Sequence, residues 1–317
     1  MNRILKGFIN VSLFLSLVFM IFSIVPLNKV VDNNDWVSDK VQICAHRGGA
    51  LLNPENTKKA FDYVIKETNY TDIVEIDLRL TKDNIIVINH DSDINRMSLD
   101  DSFSNIEIEE HTYLELQNYN LGRNFVDLNG NMPYLEYSIE QAKEAGLTIM
   151  SLDDFFITYN EYRDIKVFLE IKIGGEKGEY LLDKIINDLN NKYTWWKNRV
   201  MFITFDDEIV DYLAANYKNY YVGALGDKVV EQIVFNKLGL DLFYQPNFQS
   251  IQVPYNQKAK EFFVELASEG LVKSFHKRNQ SVVYWGVNEQ DDMEILINIG
   301  VDVITTDRPD LLYEILK

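Results

Sequence analysis

Cysteine is almost missing from this chain: Cys44 is the single one in 317 residues. No intramolecular disulfide and no thiolate zinc or iron–sulfur site can be built, and redox chemistry leaves the compartment open. Positive charge is also short, with 31 Lys and Arg against 49 Asp and Glu and a formal charge of −18. That balance excludes unaided binding to long nucleic acid or to an anionic bilayer surface. Internal repeats and low-complexity tracts are missing too, and so is a glycine-rich phosphate loop, because Gly48 and Gly49 match neither nucleotide fingerprint. What is plentiful is apolar surface, at 46% hydrophobic and 13% aromatic residues, enough for a full core and too much for a disordered or fibrous chain.

The apolar residues begin with one long run. Arg3 and Lys6 precede an uncharged stretch over Gly7–Asn28, and Lys29, Asp32 and Asp35 follow it. A helix crosses a hydrocarbon core in roughly 20 residues, whereas the apolar part of a cleaved signal peptide spans about 7 to 15. Ser23-Ile24-Val25-Pro26 offers no small-residue cleavage site. Residues 1–30 are therefore expected to form a transmembrane anchor. By the positive-inside tendency the start of the chain is cytoplasmic and everything beyond Lys29 lies outside, which makes a single-pass cell-membrane protein with an extracytoplasmic domain. Cys44, downstream in an apolar strand, reads as a small buried hydrophobe.

After a polar linker over 31–39, residues 40–317 alternate short apolar strands with amphipathic helices. Strands are expected over Val41–Ala45, Val74–Leu78, Ile85–Asn89, Val167–Ile173, Val200–Phe205, Tyr221–Leu225, Leu242–Tyr244, Val282–Val287 and Val301–Thr305. Helices are expected over Pro54–Lys66, Glu179–Leu189, Glu208–Asn216, Lys228–Leu238, Gln257–Ser268 and Glu289–Asn298, the first capped by Asn53 ahead of Pro54. Nine strands for eight places point to a (β/α)₈ barrel with one segment misplaced or outside the ring, and a doubly wound sheet would carry the missing glycine loop. The irregular stretch over about 92–152 reads as an insertion after the third strand.

Polar residues collect at the carboxyl ends of these strands, where barrels build their sites: His46, Arg47, Glu75, Asp77, His90, Asp91, Glu170 and Lys172. Glu75 and Asp77 are two apart and share a face, as do Glu170 and Lys172. Inward carboxylates need a cation. An all-oxygen set suits Ca²⁺ or Mg²⁺ better than zinc, and the alternative is an ion-pair network with Lys172 and Arg47. His46 and His90 could exchange protons on either side of a phosphorus while Arg47 and Lys172 hold its non-bridging oxygens. His111 and His276 read as structural.

Ala45-His46-Arg47-Gly48-Gly49, Pro54-Glu55-Asn56-Thr57, Glu75-Ile76-Asp77, His90-Asp91, Leu169-Glu170-Ile171-Lys172 and Thr306-Asp307-Arg308-Pro309 run in order to the carboxyl terminus. Together they resemble the glycerophosphodiester phosphodiesterase family, here as a membrane-anchored bacterial member. The resemblance implies a (β/α)₈ barrel with a small insertion after the His-Asp motif. It also implies metal-dependent hydrolysis of glycerophosphodiesters to glycerol 3-phosphate and an alcohol. On it, His46 and His90 are the acid/base pair, Glu75, Asp77 and Glu170 the Ca²⁺ or Mg²⁺ ligands, and Arg47 and Lys172 the phosphate contacts. First attack falls either to the neighbouring glycerol hydroxyl, through a cyclic phosphate, or to water. Trp285-Gly286-Val287-Asn288 resembles the family's Trp-Thr-Val-Asn, with Trp285 either a wall for the glycerol carbons or core, and with Gly286 removing a side chain near the pocket mouth. Phe202 and Phe205 are wall or packing residues, and Asp307 is expected to fix a loop. Two other readings stand beside this one: a phospholipase D-like lyase acting on lysolipid or sphingolipid, and a non-catalytic envelope-associated binding protein. The expected partners are a small-molecule substrate and the membrane, with no nucleic acid, and the oligomeric state is left open.

Overall fold

A computed structural model describes residues 26–98, 105–255 and 267–317. Ten strands form one sheet: β1 Gln42–Ala45, β2 Ile73–Leu80, β3 Ile86–Ile88, β4 Met150–Ser151, β5 Lys166–Ile171, β6 Val200–Thr204, β7 Tyr221–Ala224, β8 Ser250–Pro254, β9 Ser281–Trp285 and β10 Val303–Thr306. All but β3 and β4 run parallel, and β1 pairs with both β2 and β10, so eight strands close into a barrel. Helices pack outside it. The helix over Gly175–Asn191 buries Leu181, Leu182, Ile185, Ile186 and Leu189, a one-sided stripe at helical spacing, against the strands.

Every second strand residue points into the barrel, and the stack changes character along its length. Towards the amino ends, Ile73, Phe168, Met201, Val283 and Val303 meet Trp36 in a dry cluster. Residues read as a linker supply this plug. Trp36 is 1% exposed, stacks on Phe168 at 5.1 Å between ring centroids, and carries Lys166 Nζ 4.8 Å above its ring. Around it, Asn34 Nδ2 donates to the carbonyls of Gln249 and Asn279, and Ser38 N donates to Asp302 Oδ1, each partner lying just ahead of a strand.

The barrel agrees with the sequence, while several elements differ. Ile86–Ile88 is a strand outside the ring, antiparallel to β2, and β4 pairs with it in turn, so the insertion follows the third strand of the chain rather than of the barrel. The insertion packs a small core, Ile94, Met97, Ile108, Leu116, Leu121 and Ile149, against Val87 of β3. Leu242–Tyr244 is not a strand: Asp241–Phe243 forms one 3-10 turn, and Arg278 Nη2 donates to the carbonyls of Asp241 and Tyr244. The eighth place belongs to β8, which sequence reading passed over. The first helix starts at Lys58, four residues later than expected, because Thr57 rather than Asn53 caps it by accepting from Ala60 N. The helix expected over Gln257–Ser268 falls mostly on 256–266, outside the described residues.

The transmembrane expectation is corrected. Among the described residues no helix is long and apolar enough to cross a membrane. Pro26, Leu27 and Asn28, the end of the apolar run, are not helical, and Pro26 has no N–H to give a helix. The remainder, residues 7–25, lies outside the described residues. The membrane as partner, the single-pass topology and the extracytoplasmic placement rested on that anchor, and no helix among the described residues supports them.

Candidate active site

The change from apolar to charged along the barrel follows from strand period. Two residues beyond Ile73 comes Glu75 and then Asp77; two beyond Phe168 comes Glu170 and then Lys172; two beyond Val283 comes Trp285. His46, Arg47, Glu75, His90, Glu170, Lys172 and Trp285 line one cavity of about 110 Å³, together with Phe205, Leu225 and Gln252. Asp77, the remaining residue expected at the site, is fully buried at its floor. Glu75, Asp77 and Glu170 each offer an oxygen, and these lie within 4.8 Å of one another.

Burial opposes charge here, and the neighbours decide which acids ionise. Lys172 Nζ lies 3.0 Å from Asp77 Oδ1 and 2.5 Å from Glu170 Oε1, and Arg47 Nε lies 3.5 Å from Asp77 Oδ2. Asn56, at φ 56°, donates to Asp77 Oδ2 at 2.7 Å. Against its burial, Lys172 and Arg47 hold the Asp77 carboxyl well below the usual range. Burial and the Asp77 charge, beyond what Lys172 offsets, push Glu170 up to about 8, and burial raises Glu75 as well. Two of three clustered acids are thus short of positive charge. A three-oxygen set of this kind fits a hard divalent cation, and the basic side chains expected as the alternative are present in the same cluster.

Both histidines are held in the same manner. His46 Nδ1 sits 2.6 Å from Asp307 Oδ1, and Asp307 Oδ2 accepts from Asn288 Nδ2 at 2.7 Å. His90 Nδ1 sits 2.7 Å from Asp91 Oδ1, and the His90 carbonyl accepts two bonds from Arg79. A carboxylate behind Nδ1 fixes the imidazole and leaves Nε2 as the atom that faces the cavity. His46 Nε2 is 3.5 Å from Glu75 Oε1. Burial works against a charged His46, but Glu75 and Asp307 outweigh it and raise its pKa to about 9. For His90 burial wins over the pull of Asp77 and lowers it.

Sharp turns place these groups. Arg47 takes φ 51° and Gly48 φ 82°, and a Cβ on Gly48 would meet Ala60 Cβ at 2.9 Å, so glycine lets the turn after β1 lie against the first helix. Gly286, at φ 77°, has open space around its missing Cβ, so its role is backbone conformation and not the clearing of the pocket mouth. Phe202 is core against Tyr220, whereas Phe205 is half exposed and meets Trp285 edge-on at 6.0 Å. Asp307 does more than fix a loop. Asn56, Arg96 and Gln252 had no expected role, and of these only Asn56 lay in a motif. His111 and His276 stay apart, bonded to the Glu107 carbonyl and to Asp302.

Residues 46–311 match the model of the glycerophosphoryl diester phosphodiesterase family. A glycerophosphodiester phosphodiesterase of Caldanaerobacter subterraneus is 25% identical, covering 88% of this chain and 98% of its own; one from Bacillus altitudinis is 22% identical, covering 86% and 97%. Among solved structures, the glycerophosphoryl diester phosphodiesterase domain of a Mycobacterium tuberculosis protein superposes with a TM-score of 0.68 at 19% identity over 88% of this chain and 100% of that one. An Oleispira antarctica phosphodiesterase in complex with the product sn-glycerol-3-phosphate gives 0.63 at 19% over 86% and 95%. The solved structures carry the likeness of fold, and the family match over most of the barrel carries the identity: the chain belongs to the glycerophosphoryl diester phosphodiesterase family and is an enzyme, a glycerophosphodiester phosphodiesterase.

Proposed function

We propose that residues 40–317, with an insertion over about 92–152, hydrolyse glycerophosphodiesters to glycerol 3-phosphate and an alcohol, with His46 and His90 as the acid/base pair. The observation that carries this reading is the pairing of two imidazoles, each backed at Nδ1 by a carboxylate, around one cavity floored by three acids. One Nε2 takes the proton of the attacking hydroxyl, and the other returns a proton to the departing alkoxide, each step supplying about 10²- to 10⁴-fold. Arg47 and Lys172 bind the non-bridging phosphate oxygens. Trp285 and Phe205 form an apolar wall for the glycerol carbons. Glu75, Asp77 and Glu170 would hold Ca²⁺ or Mg²⁺, which supplies positive charge to the phosphate as the transition state forms.

The test is glycerol 3-phosphate release by the full chain from glycerophosphocholine, glycerophosphoethanolamine and glycerophosphoglycerol, each with Ca²⁺, Mg²⁺ or EDTA. Release that EDTA abolishes and His46→Gln or His90→Gln removes supports the reading. Release that survives EDTA, or a folded His46→Gln variant at the full rate, overturns it.

A further inference from the structure

Arg96 reaches two carboxylates that each contact a residue lining the cavity. Its Nε donates to Asp91 Oδ2 at 2.8 Å, and Nη1 and Nη2 donate to the two oxygens of Glu55 at 3.0 and 2.7 Å. Each carboxylate spends its other contact on the site. Asp91 Oδ1 is 2.7 Å from His90 Nδ1, and Glu55 Oε1 accepts from Arg47 Nη1 at 3.0 Å. One guanidinium therefore ties together the residue behind an imidazole and the residue behind a phosphate-facing arginine. Arg96 itself does not line the cavity.

We infer that Arg96 is a positioning residue for the phosphodiesterase reaction: through Asp91 and Glu55 it holds His90 and Arg47 in one fixed arrangement and couples the insertion to the catalytic mouth. This rests on the roles proposed above for His90 and Arg47. The backbone behind Arg96 belongs to the insertion. It lies on the short helix over Asn95–Ser98, beside Met97, which is buried in the insertion's small core, and its carbonyl accepts from Asn124 Nδ2 at 3.0 Å. Glu55, in contrast, lies in the loop between β1 and the first helix. The flat fork of a guanidinium can serve both carboxylates at once, whereas an ammonium presents a point charge and cannot match the two-pronged contact to Glu55. Without Arg96, Asp91 and Glu55 keep their partners but lose the link that relates them, so His90 and Arg47 drift relative to one another.

The test is steady-state hydrolysis of glycerophosphocholine by the full metal-supplemented chain, with thermal midpoints measured alongside, for Arg96→Ala, Arg96→Lys, Asp91→Asn, the Arg96→Ala/Asp91→Asn double variant and His90→Gln. Misplacement of catalytic groups costs up to about 10²-fold, so Arg96→Ala should lose between about 10- and 10²-fold, mainly in kcat, at an unchanged thermal midpoint. Because Arg96 acts in part through Asp91, the loss in the double variant should fall short of the product of the two single losses. Arg96→Lys should melt like wild type and remain slow; it also serves as the test should Arg96→Ala fail to fold. An Arg96→Ala rate within threefold of wild type, a wild-type rate for Arg96→Lys, losses that multiply in the double variant, or a loss accounted for by unfolded protein overturns the inference. An inactive His90→Gln beside any of these leaves the site reading standing, whereas an active His90→Gln removes the site reading itself.

Discussion

At one end of the barrel Glu75, Glu170, Lys172 and Trp285 ring a cavity; two residues earlier on the same strands Ile73, Phe168 and Val283, with Trp36 beneath them, form a dry plug. The strands are shared and the chemistry is opposite. The mouth keeps mutually repelling carboxylates close together, an arrangement that costs stability, and the base offsets that cost with packed aromatic surface. On the roles proposed for the mouth, activity and stability rest on different residues a few ångströms apart on the same strand faces, and substitutions should be able to separate them.

The sharpest separation is expected at Glu170. Glu170→Gln should reduce turnover on the order of 10³-fold, because the charge stabilisation organised there is worth several kcal/mol, while the thermal midpoint stays level or rises as an acid held at about 8 is removed. A variant with undiminished rates, or one that melts early, would erase the contrast. At the other end, Trp36→Ala should cost about 3–5 kcal/mol in denaturant unfolding and leave kcat/KM unchanged below the transition. Loss of rate in folded Trp36→Ala protein would show that the plug reaches the site. Asp307→Asn sharpens the mouth itself. It should slow hydrolysis by about tenfold or more by releasing the His46 ring, at little cost in stability, and a kcat equal to wild type would return Asp307 to a loop role.

The smallest effect is a pH dependence at the base. His276 Nε2 lies 2.8 Å from the buried Asp302, whose other oxygen takes Ser38 N, and that bond raises the His276 pKa above its ordinary 6.5. A raised folded value means stability that is complete below the unfolded value and fades as pH rises through the folded one. His276→Ala should therefore lower stability by on the order of 1 kcal/mol below pH 6.5, with the gap closing on the alkaline side, and melting curves at a series of pH values will show it. A gap that widens with pH would contradict the sign.

Much of this could be read from the chain because charged residues on apolar strands are conspicuous. Glu75, Asp77 and Glu170 interrupt hydrophobic runs at a spacing of two or at a strand end, which marks the mouth and, by repetition, the barrel. The same inward placement hid β8: Ser250 and Gln252 face the barrel interior, so Ile251 and Val253 alone carried its apolar signal. Three apolar residues in a row, Leu242, Phe243 and Tyr244, imitated a strand where Arg278 fixes a turn. The partners of the site were out of reach for another reason. Asp307 meets His46 across 261 positions and Arg96 meets Glu55 across 41, and local pattern holds no information about such contacts. The plug was missed because one tryptophan among polar neighbours reads as linker until the barrel supplies its pocket.

That plug also gives the molecule a polarity. The segment around Trp36 joins the barrel at the amino ends of the strands, through Gln249, Asn279 and Asp302, while the cavity opens at the opposite pole. A tag, linker or solid support joined directly at Pro26 is therefore delivered to the closed pole, and enzyme immobilised through that point presents its mouth to the bulk solution, free to meet substrate.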